Sequence, residues 1–338
     1  MATAGGVKPE LNHHDRHIWE MVALSPAKSL WDLCDVPKLE IARCTWKAML
    51  EDRLPSIAAE LGFWFVFAIF PTLLCATTIL GLAARSAAQI YGHLLQYMAL
   101  VVPPSALGMV MHTFNQTTAH SSSGKLTFGL AAAVWSASVG ISAVQDATNA
   151  VYKLVERRSY IKARLQAIAL TMLLICTVTL CLTCLFAGDF VSAWAHVHIQ
   201  PGFARDALVA AAETLGWILA AWFLALSFAS IYYWAPDHRK RQWHWITPGA
   251  LLGIAGWLLA SFGFRIYLHF FNTYSVTYGS LGALIVLLMW FYITGLMLLL
   301  GAEFNSQLEA AAVEARLKRD RAEEGVPQSE QHGIRPAA

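Results

Sequence analysis

The sequence has few charged residues. Asp, Glu, Lys and Arg make up 14% of its 338 residues, whereas soluble proteins carry about 25%. Hydrophobic residues make up 57% of the chain. A water-soluble fold needs polar side chains to cover its outside, so this composition excludes an ordinary soluble domain. The scarcity of charge indicates a membrane protein.

Motifs of soluble enzymes are also missing from the sequence. It has no Walker sequence, no Gly-rich dinucleotide motif and no recognisable triad of Ser, His and Asp. The His residues match no standard spacing of metal ligands. Cys181-x-x-Cys184 lies in an apolar run, where buried cysteines usually serve packing. We therefore predict no cofactor, no metal site and no enzymatic activity.

Long apolar runs are abundant instead. A helix needs about 20 apolar residues to cross a bilayer core of roughly 30 Å. Backbone groups in lipid must pair within their own segment, so each such run is predicted to be helical. Six runs are long enough: 62–84, 126–150, 163–187, 208–233, 248–271 and 279–302. The predicted fold class is all-α, a polytopic membrane protein with six transmembrane helices.

The distribution of Lys and Arg predicts the orientation, because positively charged loops stay in the cytoplasm. Seven of these residues precede the first run, and five belong to the connection between the second and third runs, counting Arg164 at the start of the third. Three lie between the fourth and fifth, and five follow the sixth. The alternate connections hold three, and Arg265 lies inside the fifth run. The split of 20 to three places both termini in the cytoplasm. A basic inner face is expected to attract membrane lipids with anionic headgroups rather than nucleic acid.

Composition also divides the chain into regions. Residues 1–28 are predicted to form a flexible tail, 29–60 an amphipathic helix on the cytoplasmic membrane surface, 61–303 the transmembrane domain and 304–338 a cytoplasmic tail. Residues 303–324 are expected to continue the sixth helix. The connections 86–115 and 189–206 are apolar enough to lie in the outer interface.

Several short motifs follow one another along the chain. They are Trp135-Ser-Ala-Ser-Val-Gly140, Ala147-Thr-Asn-Ala-Val-Tyr152, Glu156-Arg-Arg-Ser159, Trp245-Ile-Thr-Pro-Gly-Ala250, Tyr278-Gly-Ser-Leu-Gly282 and Gly301-Ala-Glu-Phe-Asn305. In this order they resemble the YihY/BrkB family of bacterial inner-membrane proteins. The resemblance implies a six-helix protein of a bacterial inner membrane, in a family linked to envelope properties and serum resistance. Some members carry an old label of ribonuclease BN.

Polar residues inside apolar runs are the candidate functional residues, because a charge at the bilayer centre costs about 2.5 to 3.5 kcal/mol on insertion scales. Asp146 and Asn149 share one face near the inner end of the second run. Either Arg157 or Lys153 is expected to reach back to them. The two interpretations are a structural salt bridge or helix cap, and a contact site for an ion or headgroup.

Two further pairs complete the set of candidates. Glu213 and Arg265 are both predicted to lie in the outer third of the membrane, where they could pair. Arg265 could instead bind a lipid phosphate. Glu303 and Asn305 close the sixth run at its inner end, where solvation is the simplest explanation.

These features leave two functions open. One is transport, or the handling of a lipid or another envelope component, with an unknown substrate. The other is a non-enzymatic scaffold that organises envelope assembly through other membrane proteins. A ribonuclease needs a metal-binding or acid-base constellation that no cytoplasmic segment supplies. The oligomeric state does not follow from the sequence.

Overall fold

The computed structural model describes residues 18–19, 21–22, 38–83, 123–238, 247–270 and 280–323. Within these ranges the regular structure is entirely helical, which confirms the all-α class. The helices are α1 Lys38–Glu51, α2 Leu54–Ala83, α3 Ser123–Val151, α4 Tyr160–His198, α5 Phe203–Trp234, α6 Pro248–Phe270 and α7 Ser280–Glu323. The predicted outer segment 86–115 lies outside the described residues.

Four helices are long and apolar enough to cross a membrane: α4, α5, α6 and the part Leu281–Asp320 of α7. The end of α1 and the start of α2, up to Phe70, meet at 65° and make a fifth candidate if they count as one broken span. The prediction of six crossings is therefore confirmed in part. The runs 62–84 and 126–150 fall within α2 and α3, which have 30 and 29 residues.

The six long helices pack against one another in chain order. Each of α2 to α6 contacts the next helix, and α7 returns to α2, so the contacts form a closed ring. The pairing of α4 with α5 is the most extensive and that of α5 with α6 the weakest. Gly188 and Gly216 permit the close pairing of α4 with α5, because a methyl group on either would lie 3.1 Å from a carbonyl oxygen of the other helix.

The main hydrophobic core occupies one end of this ring. It is formed where α2 begins, where α3 and α5 end, where α6 begins and where the apolar part of α7 ends. Its fully enclosed members include Leu54, Ala58, Val151, Ala235 and Leu299. By the distribution of Lys and Arg, this end is the predicted cytoplasmic one.

Helix α1 ends earlier than the predicted surface helix 29–60. It ends at Glu51, and the chain turns at Asp52 and Arg53, so that Leu54 and Pro55 already belong to α2. Proline fits the first turn of a helix because no hydrogen bond is lost there. One face of α1 packs on α7 through Ile41, whereas Trp46 and Leu50 are exposed.

Two other regions differ from the prediction. Residues 189–206 were expected to form an interfacial connection, but α4 continues to His198 and α5 begins at Phe203. Packing of α4 against α5 stabilises the additional turns of both helices. In the predicted flexible tail, Ile18 and Val22 are buried against Val313 on α7. The predicted continuation of the sixth helix is confirmed, since α7 runs to Glu323.

Candidate functional site

Polar side chains converge at the core end of the ring, where four of the sequence motifs meet. We call this region the inner junction and define it by residues 149–158, 235–238, 247–250 and 303–309. It combines the connection after α3, the end of α5, the start of α6 and the middle of α7.

Asn149 links two parts of the inner junction. Its amide nitrogen donates a 2.8 Å hydrogen bond to Oε2 of Glu156, and its amide oxygen accepts the backbone N–H of Asp237 at 2.8 Å. Arg158 joins the same network, because its Nε donates to Oε1 of Glu156 at 2.7 Å and lies 3.6 Å from Oδ1 of Asp237. The side chain of Asn149 therefore fixes the end of α5 against the connection after α3.

The charge of Glu156 is stabilised by this network. Partial burial pushes the pKa of Glu156 upward, but the hydrogen bonds and charge of Arg158, together with the amide of Asn149, outweigh that effect. The pKa of Glu156 therefore lies below its ordinary value of 4.5. The carboxylate is ionised at neutral pH, where it holds Arg158 in place.

The predicted partners of Asn149 were wrong. Arg157 uses its backbone N–H, which donates to Oδ2 of Asp237 at 2.9 Å. Lys153 pairs with Asp52 at 3.2 Å and lies 5.0 Å from the ring centre of Trp19. Lys153 lies in the turn after α3 with φ at +54°, a left-handed conformation that turns its side chain toward the start of α2.

Asn305 connects α7 to the first turn of α6. Its side-chain oxygen accepts the N–H of Gly249 at 2.8 Å, and its nitrogen donates to Oγ1 of Thr247 at 2.9 Å. Thr247 caps the helix, because its hydroxyl also accepts the N–H of Ala250 at 3.1 Å. The prediction that solvent explains Asn305 was wrong, since the side chain is 1% exposed.

The same correction applies to Glu303, which is fully enclosed. Its Oε1 accepts a 2.8 Å hydrogen bond from Gln307, whereas Oε2 has no hydrogen-bond partner among the described residues. Glu309, two turns further along, is also buried. Helix α7 continues past Glu303 and packs against α1 and α3, so this position lies in the middle of a contact. These two carboxylates therefore lie within contacts between helices and not on a solvated helix end.

Asp146 behaves differently from its neighbour Asn149. It is exposed on α3, where it lies in the electrostatic fields of Glu156, Glu60 and Arg158. Glu60 is likewise exposed, on the adjacent helix α2. Two exposed carboxylates thus lie on adjacent helices, close to the inner end of the ring.

Glu213 and Arg265 do not form the predicted ion pair. Glu213 is exposed on α5 and accepts a 3.1 Å hydrogen bond from the hydroxyl of Ser192 on α4. Arg265 is exposed on α6. The pair is absent because α5 faces α4 along its length and contacts α6 only weakly.

The contacts of Arg164 were not predicted, because this residue was counted with the charges of the connection between the second and third runs. Arg164 lies in the second turn of α4, and its Nη1 donates to Oγ of Ser142 on α3 at 3.1 Å. Its Nη2 donates to the carbonyl oxygen of Trp135 at 3.1 Å. The available signal was its position inside the run 163–187, where a charge calls for an explanation.

The described residues contain no group of three or more His, Cys, Asp and Glu that could hold a metal ion. Cys181 donates a weak hydrogen bond to the carbonyl of Ala220 at 3.6 Å, and both it and Cys184 are free thiols. The polar groups at the inner junction mainly tie helix ends together.

The fold and its polar residues define an α-helical membrane protein. The family described as Virulence factor BrkB matches residues 45–325, and the chain belongs to this family. This match confirms the resemblance seen in the short motifs.

Named relatives give the chain a wider context. It is 33% identical over 253 residues to the ribonuclease-like protein YfkH of Bacillus subtilis (strain 168), which covers 75% of this chain and 89% of that relative. It is 29% identical over 276 residues to a UPF0761 membrane protein of Xanthomonas oryzae pv. oryzae (strain PXO99A). That match covers 80% of this chain but 61% of the Xanthomonas protein. No solved structure matches the chain.

Proposed function

We propose that this chain is a multi-pass protein of a bacterial inner membrane that moves a lipid or another amphipathic envelope component. Its working surface is a polar line on the exposed face of α3, formed by Asp146, Ser142 and the adjoining Arg164 of α4. The single observation behind the proposal is that the exposed Trp135 and Asp146 share one face of α3 with Ser142, which Arg164 of α4 contacts. In the proposed topology this face borders the lipid. The other exposed candidates, Glu213 and Arg265, are proposed as further contacts for the same substrate.

The proposed topology has six crossings with both termini in the cytoplasm. At a rise of about 1.5 Å per residue, α2 and α3 are each about 45 Å long, enough to cross a bilayer. The distribution of Lys and Arg supports the orientation. In this arrangement Asp146 and Glu60 lie on the inner side of the membrane.

Exposing a charged side chain to hydrocarbon costs free energy. A carboxylate or guanidinium at the bilayer centre costs about 2.5 to 3.5 kcal/mol on insertion scales, so such groups require water or lipid headgroups beside them. Positions 135, 142 and 146 recur at helical spacing and therefore form one line along α3. A polar line of this kind stabilises a headgroup inside the membrane while the acyl chains stay in lipid.

A vesicle assay tests this proposal. The purified chain is reconstituted into liposomes with a fluorescent phosphatidylglycerol, and dithionite then bleaches the label on the outer leaflet. We expect bleaching to go beyond half of the label, because lipid from the inner leaflet is brought outward. Empty vesicles and vesicles with an unrelated six-span protein provide the controls. Bleaching that stops at half in all three samples contradicts the proposal.

A scaffold is the second candidate, and α1 is the observation that favours it. Trp46 and Leu50 are 63% and 58% exposed, one helical turn apart, on the face that does not pack on α7. In this alternative, substitutions at Asp146 leave the phenotype intact, whereas Trp46→Ser and Leu50→Ser release partner membrane proteins. We further propose that the chain is not a ribonuclease, although one relative carries a ribonuclease-like name.

A further inference from the structure

Arg164 has an unusual position for a cation. Its guanidinium carbon lies 4.3 Å from the ring centre of Trp135, and its two terminal nitrogens donate to Ser142 and to the Trp135 carbonyl. The charged group of Arg164 on α4 therefore lies against the side of α3. Stacking on an indole ring also stabilises a cation electrostatically.

The depth of this contact follows from helix geometry. Ser142 precedes the last residue of α3, Val151, by nine positions, so it lies about 13 Å along the helix from that end. Trp135 lies about two turns further from the same end. The guanidinium is thus well inside the length of α3 that crosses the membrane in the proposed topology.

Among the described residues, the positive charge of Arg164 has no carboxylate counterion. Its hydrogen-bond acceptors are a hydroxyl and a carbonyl, and no described carboxylate forms an ion pair with it. The stretches 84–122, 239–246 and 271–279, which connect long helices, contain neither Asp nor Glu. A guanidinium in low dielectric without an anion is costly, so an external anion is favoured.

The guanidinium also has N–H donors that do not bond to α3. Arginine carries five N–H groups. Two of them bond to α3, and the Nε–H is enclosed without a partner. The remaining N–H groups belong to the two terminal nitrogens, the pair that commonly binds a carboxylate or phosphate at two points.

Apolar surface surrounds these donors. Trp135 on α3 and Leu165 on α4 are 56% and 60% exposed, and Ile161 is exposed one turn before Leu165. A ligand at this place must join an anionic group to hydrocarbon. Among membrane components, a phospholipid with its phosphate on Arg164 and its chains along Trp135 and Leu165 meets both requirements.

We propose that Arg164, held by Ser142 and Trp135, binds the phosphate group of a membrane phospholipid in the groove between α3 and α4. This inference deepens the proposed function and rests on it for its physiological meaning. The site is the inward-facing resting place of a headgroup on the polar line of α3.

Native mass spectrometry of the delipidated full chain tests the site. We would titrate the protein with dioleoylphosphatidylglycerol, with dioleoylglycerol, which lacks the phosphate, and with inorganic phosphate as a competitor. Arg164→Gln is expected to weaken phosphatidylglycerol binding about tenfold, which corresponds to the loss of a charge-assisted contact. Lys162→Gln is the matched control, because it removes the same charge from an exposed position two residues away. Its binding should equal that of the wild type.

The outcomes of these titrations distinguish a lipid phosphate site, a site for free phosphate and a purely structural contact. Weaker phosphatidylglycerol binding to Arg164→Gln than to wild type, with equal binding of dioleoylglycerol to both, supports a lipid phosphate site. Displacement of phosphatidylglycerol by an equimolar amount of inorganic phosphate overturns the lipid assignment in favour of free phosphate. Unchanged phosphatidylglycerol binding to a folded Arg164→Gln protein overturns the site and leaves Arg164 as a pin between α3 and α4.

A second variant covers the case in which Arg164→Gln does not fold. Arg164→Lys keeps the charge but loses the planar stack and the two-point contact, so weaker phosphatidylglycerol binding is again expected. Unchanged binding by that variant contradicts the site. The proposed function fails separately: if Arg164 retains lipid but the vesicles show no lipid movement, the binding site stands without the transport.

Discussion

The side-chain oxygen of Asn305 accepts the backbone N–H of Gly249 at 2.8 Å, so α7 holds the first turn of α6. A glycine is required there because α6 and α7 approach at the backbone level. A methyl group on Gly249 would lie 2.1 Å from the carbonyl oxygen of Gly301. Helices that approach this closely typically place small residues at the crossing.

Gly249→Ala is therefore expected to destabilise the protein strongly. The clash involves the backbone of α7, which cannot rotate away, and we expect a loss of about 3 kcal/mol or more. Thermal unfolding in detergent, followed by intrinsic fluorescence, measures the effect. Gly263→Ala is the control on the same helix, since a methyl group there meets no atom within 4 Å. Equal unfolding temperatures for the two variants would show that α6 and α7 do not meet at Gly249.

The hydroxyl of Thr247 is the second test of this crossing. Thr247→Val keeps the shape of the side chain but leaves the N–H of Ala250 and the amide of Asn305 without their acceptor. We expect a loss of about 1 to 2 kcal/mol. Thr247→Ser retains the oxygen and should unfold near the wild-type temperature. A serine variant as unstable as the valine variant argues for a role of the methyl group instead.

The network around Glu156 predicts a dependence of stability on pH. Because the pKa of Glu156 is lowered in the folded protein, the ionised carboxylate stabilises the fold above the unfolded value of 4.5. That contribution is lost as the pH falls through the folded pKa. Glu156→Gln should therefore be less stable than wild type by about 1 kcal/mol at pH 7, and the gap should narrow below about pH 4.5.

The same detergent unfolding measurement, repeated across pH, provides the check on Glu156. Glu314→Gln is a suitable comparison, because Glu314 is a solvent-exposed partner of Lys318 on α7 and its loss should change stability little. A gap for Glu156→Gln that stays constant from neutral to acidic pH would contradict the network.

Membrane topology is tested by cysteine labelling in spheroplasts. Val197 is exposed near the end of α4, and Glu314 is exposed on the extension of α7. An impermeant maleimide should label Val197→Cys in intact spheroplasts and Glu314→Cys only after permeabilisation. The opposite pattern inverts the proposed orientation, and labelling of both in intact spheroplasts contradicts the number of crossings.

The sequence predicted the helical class and the runs that became α4 to α7, because hydrophobic length alone requires a helix in lipid. It also placed Asp146 and Asn149 on one face, but it did not predict that their burial would differ. Asn149 is buried and Asp146 exposed because α5 returns beside one of them, a packing relationship that helical spacing does not contain.

Other errors have the same origin. Glu303 and Asn305 were predicted to be solvated, since the apolar run stops at Ala302, but the helices packed against α7 bury both side chains. Arg164 was counted with the loop charges because a basic residue beside a run normally lies at the interface. Its long side chain reaches α3 instead, and only the pairing of α3 with α4 reveals that contact.

The exposed line on α3 is the central claim, and blocking it is the most direct test. In a background with Cys44 and Cys176 replaced by serine, Val139→Cys would place a thiol between Trp135 and Ser142, and Leu258→Cys would place one on the exposed face of α6. Each variant is reconstituted and treated with a bulky charged thiol reagent before lipid movement is measured. We predict that modification at Val139→Cys stops lipid movement while modification at Leu258→Cys does not. Undiminished movement after complete modification at Val139→Cys would contradict the account.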